Sequence, residues 1–220
     1  MRELPDAVLF DMDGTLIDSE GLWLEAEIMV MAGLGSTWSS ADQEHCLGGP
    51  LERVADYMIQ KSETTVEADE IGHRLLDAME SRLRDSPLSW RPGARALVIE
   101  CRDLGVPTAL VSASWNRLID AVGEKIDADI GSRAFDVIVA GDDVENGKPH
   151  PDPYLTAARN LGMQPDRCLA LEDSPTGVHS AVAAGCRVVA IPHIAEVVDT
   201  TALVIDSLEN WTLARLWQES

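Results

Sequence analysis

At 220 residues the chain has room for one large domain or a core with a smaller insertion, and 45% hydrophobic against 25% charged residues suits a globular protein with a real core. Its 17 basic and 38 acidic side chains leave a net charge of −21, which repels nucleic acid and anionic membranes, so neither is expected as a partner. No apolar run approaches the roughly 20 residues that a membrane helix needs, and the N-terminal stretch lacks the apolar core of a signal peptide.

The first element is an apolar run, Ala7-Val8-Leu9-Phe10, short enough for a buried strand and ending abruptly in Asp11-Met12-Asp13-Gly14-Thr15. Gly14 permits a sharp turn directly behind the two aspartates. From about Glu20 to Asp85 the periodicity is helical. Leu22, Ala26, Met29, Val30 and Gly33 form one stripe, Leu51, Val54, Ala55, Met58 and Ile59 a second, and Ile71, Leu75, Met79 and Leu83 a third. A polar, glycine-rich connection from Gly33 to Pro50 separates the first two.

From Pro92 onward helices and strands alternate. Pro92-Gly93 opens a helix that Gly105 stops. A buried strand Thr108–Val111 follows, then a helix around Leu118, Ile119 and Val122, and a strand Val137–Ala140. A helix from Pro153 to Leu161 closes at Gly162. Leu169–Leu171 is a strand, Ser174 to Ala184 a helix, Val188–Ile191 a strand and Ala202–Ile205 a short edge strand, before a last helix carrying Trp211 and Trp217. Continuous apolar runs joined by helices indicate an α/β fold, a doubly wound parallel sheet covered on both faces. Helices of residues 18–86 then form a cap inserted into a core of residues 1–17 and 87–220, with hinges near Ile17–Glu20 and Ser86–Arg91. Cys46, Cys101, Cys168 and Cys186 are dispersed; Cys101, Cys168 and Cys186 lie in apolar segments and are expected to be small buried hydrophobes, in a reducing, cytoplasmic compartment.

The strand ends carry the chemistry. Asp11 and Asp13, two apart at a strand terminus, cannot both ionise comfortably unless a cation lies between them or one keeps a proton. That suits a division into an anionic nucleophile and an acid/base, with a hard cation such as Mg2+. After Val111 come Ser112-Ala113-Ser114-Trp115-Asn116, where a hydroxyl and free N–H groups at a helix start make an anion site, or else simply cap the helix. Lys148, one of only three lysines with Lys61 and Lys125, is fixed between Gly147 and Pro149. Glu172-Asp173 precede Ser174-Pro175, which already cap the next helix, so two further acids are better explained by a cation.

These four strings, Asp11-x-Asp13-Gly14-Thr15, Ser112-Ala113-Ser114, Gly147-Lys148-Pro149-x-Pro151 and Glu172-Asp173-Ser174-x-x-Gly177, occur in that order over nearly the whole core. Together they resemble the motifs of the haloacid dehalogenase-like superfamily, most of whose members are Mg-dependent phosphatases and phosphomutases. The resemblance is to the β-phosphoglucomutase-like, sugar-phosphate phosphatase branch with a helical cap of the first type. It implies that Asp11 attacks phosphorus while Asp13 serves as acid and then base. Ser112 and Lys148 would neutralise the transferring phosphate, with Ala113, Ser114 and Asn116 completing the phosphate loop. It implies Mg2+ held by Asp11, the main-chain carbonyl of Asp13, Asp173 and Glu172, the last directly or at one remove.

The implied activity is phosphatase action on a small phosphorylated metabolite by a monomer. A phosphomutase is the alternative, and a catalytically silent binding protein a further one. The mutase pattern has a histidine soon after the first motif, where Trp23 stands, and a cap-loop arginine, about where Glu52 falls with Arg53 one step on. Selectivity is expected from Ser19, Glu20, Trp23, Gly49 and Arg53. A silent protein would be expected to lose Asp13, Lys148 or Asp173, and none is lost. A two-component receiver domain would lack both the inserted cap and the Asp-x-Asp-Gly-Thr string.

Overall fold

The structure is a computed structural model and describes residues 4–46, 51–197 and 201–220. By its contacts the chain divides into two compact units, Met1–Asp18 with Leu88–Ser220, and Ser19–Pro87.

The larger unit is built on a six-stranded sheet of β1 (Ala7–Phe10), β2 (Thr108–Val111), β3 (Val137–Val139), β4 (Cys168–Glu172), β5 (Arg187–Ala190) and β6 (Leu203–Val204). The strands run parallel in the order β3-β2-β1-β4-β5-β6. Both side-chain parities of β1, β2 and β4 are buried, which is why each reads as an unbroken apolar run. One parity (Ala7, Leu9, Ala109, Val111, Cys168, Ala170) packs in a common core with residues such as Tyr154, Ala157, Val178 and Ala181. Those partners come from α7 (Asp152–Leu161) and α8 (Pro175–Ala183). On the other parity, Phe10 meets Phe135 edge to face. The chain steps outward from β1 through β2 to β3, then crosses back to β4 on the opposite side of β1. The carboxyl ends of β1, β2 and β4 therefore flank the switch point of the sheet, where open α/β folds bind ligands.

The smaller unit contains α1 (Glu20–Gly33), α2 (Ser40–Cys46), α3 (Leu51–Ser62) and α4 (Ala68–Asp85), with α1 and α3 both packed on α4. The stripe expected of α4 is buried throughout, at Ile71, Leu75, Met79 and Leu83, whereas that of α3 is buried at Ala55 and Met58 and half-buried at Leu51, Val54 and Ile59. Two expectations for this unit are corrected. The connection from Gly33 to Pro50 contains α2, started by Ser39, whose N–H and hydroxyl both donate to Asp42 Oδ2. In α1 the buried face holds Ala26, Glu27, Val30 and Met31, whereas Met29 is 45% exposed. Glu27 is buried because the Trp38 indole Nε1 donates to its Oε2 at 2.8 Å.

Helices α5 (Ala94–Asp103), α6 (Asn116–Ile130) and α9 (Leu213–Glu219) complete the larger unit. Trp211 lies before α9 instead of within it, because Thr212 is the cap and accepts from Arg215 N. Trp217 does lie on α9, flanked by the guanidinium groups of Arg167 and Arg187. No helix among the described residues is long and apolar enough to cross a membrane.

Candidate active site

The ladder hydrogen bonds continue one residue beyond β1 and β2, and this fixes where the chemistry sits. Asp11 N donates to Leu171 O of β4, and Ser112 N donates to Val139 O of β3, each at 3.0 Å. Asp11 and Ser112 are thus backbone-anchored at adjacent strand ends, both with buried side chains. Behind Asp11 the chain folds back on itself, Gly14 N donating to Ile17 O with Gly14 at φ +81°. That left-handed conformation is the reason for glycine in the string.

Lys148, in the loop before α7, reaches across the strand ends. Its ammonium donates to Asp11 Oδ1 at 2.7 Å, Val111 O at 2.9 Å and Glu172 Oε1 at 2.6 Å, which engages all three of its donors. Burial alone would depress the lysine pKa, but the carboxylates of Asp11 and Glu172 outweigh that cost and hold the ammonium above its ordinary value. Glu172 is the last residue of β4 and fully buried. Its Oε1 also accepts from Tyr154 OH at 2.6 Å, and its Oε2 from Ser174 Oγ at 3.3 Å.

Asp13 accepts from Ser114 Oγ at 2.8 Å, and Ser114 N in turn donates to Ser112 Oγ at 2.9 Å. The loop after β2 therefore holds the second aspartate. Ala113 is exposed in that loop, and its main chain packs so closely on Gly141 that a side chain at 141 would strike the Ala113 carbonyl. Asn116 is directed elsewhere: its backbone N–H and side-chain amide donate to Asp142 Oδ1, and the amide also to Asp143 Oδ1 at 2.8 Å.

The donor set fits a hard divalent cation. Asp11, Glu172 and Asp173 each offer a carboxylate oxygen, all within 4.8 Å of one another. Asp11 Oδ2 is buried with no hydrogen-bond partner, while its other oxygen is held by Lys148. Burial, then Glu172, pushes the Asp11 carboxyl up to about 7 against the pull of Lys148. Burial, then Asp11 and Glu172, pushes Asp173 up to about 9. With one ammonium, that of Lys148, against three carboxyl groups, the cluster is short of positive charge, which either protons or a metal ion would supply.

Of the residues expected to set selectivity, Ser19 is buried, Glu20 and Trp23 are half-buried, and Arg53 Nη2 donates to the His45 carbonyl at 2.7 Å. Gly49 lies outside the described residues. Sequence reasoning missed Tyr154. Its signal was available: it lies two residues into a helix that opens just after Lys148, on the face that packs against β1 and β2.

Residues 8–191 match the family described as haloacid dehalogenase-like hydrolase. Hexitol phosphatase B of Escherichia coli (strain K12) is 34% identical over 189 residues, covering 84% of this chain and 83% of that protein. The bifunctional riboflavin kinase/FMN phosphatase of Arabidopsis thaliana is 31% identical over 195 residues, 88% of this chain, which spans 50% of that relative's length. Among solved structures, CbbY from Rhodobacter sphaeroides in complex with phosphate superimposes with a TM-score of 0.85 at 28% identity, covering 97% of this chain and 99% of that one. A mutant of the same protein in complex with xylulose-(1,5)bisphosphate gives 0.82 at 29% identity over the same shares.

Proposed function

The chain belongs to the haloacid dehalogenase-like hydrolases, and we propose that it is a Mg2+-dependent phosphatase acting on a small phosphate monoester, a sugar or sugar-alcohol phosphate, through an aspartyl-phosphate. The observation that carries this reading is the asymmetry of Asp11. One oxygen is held by Lys148, and the other is buried and unpartnered among Asp173 and Glu172.

A carboxylate oxygen of Asp11 attacks phosphorus in line, and the bond from phosphorus to the leaving oxygen breaks. Asp13, oriented by Ser114, gives its proton to that oxygen and the alcohol departs. Asp13, now a carboxylate, takes a proton from water as the water attacks the phosphorus of the aspartyl-phosphate. The acyl phosphate bond breaks, releasing orthophosphate and restoring Asp11. Lys148 holds Asp11 in place and supplies fixed positive charge beside it. Ser112 and the backbone N–H groups of Ala113 and Ser114 are the proposed phosphate loop. Asp11, Asp173, Glu172 and the Asp13 main-chain carbonyl would hold Mg2+. When bound, the ion supplies charge against the transferring phosphoryl group.

The substrate class follows from hexitol phosphatase and CbbY, whose names and bound ligand point to sugar and sugar-alcohol phosphates. Selectivity is assigned to the helical unit, as a cap, through Ser19, Glu20, Trp23 and Arg53. Phosphatase is favoured over phosphomutase: Trp23 and Glu52 stand about where the mutase pattern has its histidine and arginine, and Arg53, one step on, is hydrogen-bonded to a carbonyl of its own unit. A monomeric cytoplasmic enzyme working on free metabolites completes the reading.

The test is phosphate release from a panel of hexitol, hexose and pentulose phosphates, phosphoglycolate and an aryl phosphate, each with Mg2+, with chelator and with Asp11→Asn. Mg-dependent release that vanishes in the variant is expected. Turnover by Asp11→Asn above a trace would overturn the mechanism, and interconversion of glucose 1- and 6-phosphates without release would move the chain to the mutases.

A further inference from the structure

Outside the strand ends, one buried polar side chain is aimed into the site with no role in the steps above. Tyr154 is fully buried on α7, and its hydroxyl donates to Glu172 Oε1 at 2.6 Å. The same oxygen accepts from Lys148 Nζ, and that ammonium lies 5.3 Å from the centroid of the tyrosine ring. We propose that Tyr154 is a positioning residue that acts through Glu172, its hydroxyl fixing the carboxylate that both orients Lys148 and faces the cation site.

A glutamate side chain has three rotatable bonds, and Glu172 must serve Lys148 with one oxygen while remaining within reach of Asp11 and Asp173. Ser174 holds its second oxygen only loosely, at 3.3 Å. The phenol supplies a short, charge-assisted bond to the oxygen that Lys148 uses, so both donors pin one point. Gly177 completes the seat, because a Cβ there would fall on the Glu172 carboxylate. The Tyr154 ring meanwhile presents its face to the ammonium in a water-excluded setting, where a cation–π contact counts for most. A tyrosine serving packing alone would be matched by phenylalanine, which fills the same space without a hydroxyl to bury.

The inference rests on the Mg-dependent reading, and its test separates the two. Tyr154→Phe keeps the ring and leaves Glu172 with Lys148 and Ser174, so a cooperative melt close to wild type is expected. Mg2+ binding is measured by calorimetry on the metal-free protein without substrate, alongside kcat and KM for the best substrate of the panel. Residues that orient metal ligands typically matter about 10- to 100-fold. A rise of about tenfold in the Mg2+ Kd and a comparable fall in kcat, with KM little changed, is therefore expected. Glu172→Gln and the double variant close a cycle: a double variant no worse than Glu172→Gln supports action through Glu172. A wild-type Mg2+ Kd and kcat in Tyr154→Phe, or losses that simply multiply in the double variant, would overturn the proposal. Failure of the wild type itself to bind Mg2+ would instead overturn the reading on which it rests.

Discussion

A side chain on Gly14 would collide with the carboxylate of Asp173: a Cβ built there lies 2.7 Å from Asp173 Cγ and closer still to Oδ2. The glycine of the first motif therefore has two reasons to be glycine, its φ of +81° and the space that an acid from β4's end occupies. Gly14→Ala is expected to cost about 1–2 kcal/mol for the left-handed backbone. It also displaces Asp173 from Asp11. Mg2+ affinity measured by calorimetry should fall at least about tenfold, as for disturbed metal ligands generally. A melting temperature lowered with Mg2+ affinity intact would show that only the backbone effect operates.

Ser114 and Asp13 make a second separable unit. The 2.8 Å bond from Ser114 Oγ to Asp13 Oδ2 orients the proposed acid/base without touching Asp11. Asp13→Asn removes the proton carrier and should lower kcat by about 10²- to 10⁴-fold, the range of general acid–base catalysis. Ser114→Ala leaves the carboxyl but removes the hydroxyl that donates to it, and a fall of about tenfold in kcat with KM nearly constant is expected from the loss of one hydrogen bond to that carboxyl. Steady-state kinetics of both variants decide it. Equal losses in kcat/KM carried by KM alone would assign Ser114 to substrate binding.

Metal removal has a predicted pH signature. Asp11 and Asp173, pushed up to about 7 and about 9 without metal, hold protons that a cation must displace. Mg2+ binding then releases protons below those values and tightens as pH rises. The stabilisation by a fixed Mg2+ concentration, about 2.7 kcal/mol at one hundred times Kd, should accordingly be smaller at pH 6 than at pH 8. Thermal melts with Mg2+ and with chelator at the two pH values measure it, and Asp173→Asn should abolish most of the difference. An increment that shrinks as pH rises would contradict the assignment.

The sheet was legible because its strands are buried on both faces and thus appear as plain apolar runs, as in Val8-Leu9-Phe10 and Leu169-Ala170-Leu171. The acidic and basic groups at their ends were legible because so few lysines and so many strand-terminal acids compete for attention. What periodicity could not resolve was the helical unit. Helix α1 is apolar over most of its circumference, so a stripe through Met29 was as plausible as the one actually buried; the Trp38–Glu27 bond decides between them, and it joins residues 11 apart that no periodicity links. Helix α2 was hidden in a polar stretch, although Ser39 and Asp42 carry the spacing of a capping box. The family resemblance implies a phosphate-loop place for Asn116; what no motif showed is that its amide donates to Asp142 and Asp143, which arrive from the end of β3.

The same Trp38–Glu27 bond gives the last prediction, one independent of catalysis. Glu27 is buried, and desolvation pushes its carboxyl up to about 7 from 4.5, against the favourable bond from Trp38 and with smaller contributions from Glu20 and Asp42. A raised acid pKa means that, between about 4.5 and 7, the folded protein holds a proton that the unfolded chain has lost. Stability must then fall as pH rises through that window and level off above it. The whole contribution is at most about 3 kcal/mol at 1.36 kcal/mol per pKa unit, less for whatever solvent still reaches the group. Glu27→Gln keeps an acceptor for the Trp38 indole and removes the titration. Its urea-unfolding free energy should therefore exceed wild type at pH 8 and match it near pH 4.5, with the variant's own profile flatter between the two. Parallel profiles for variant and wild type would show that Glu27 titrates normally and that the Trp38 bond, not burial, governs its carboxyl.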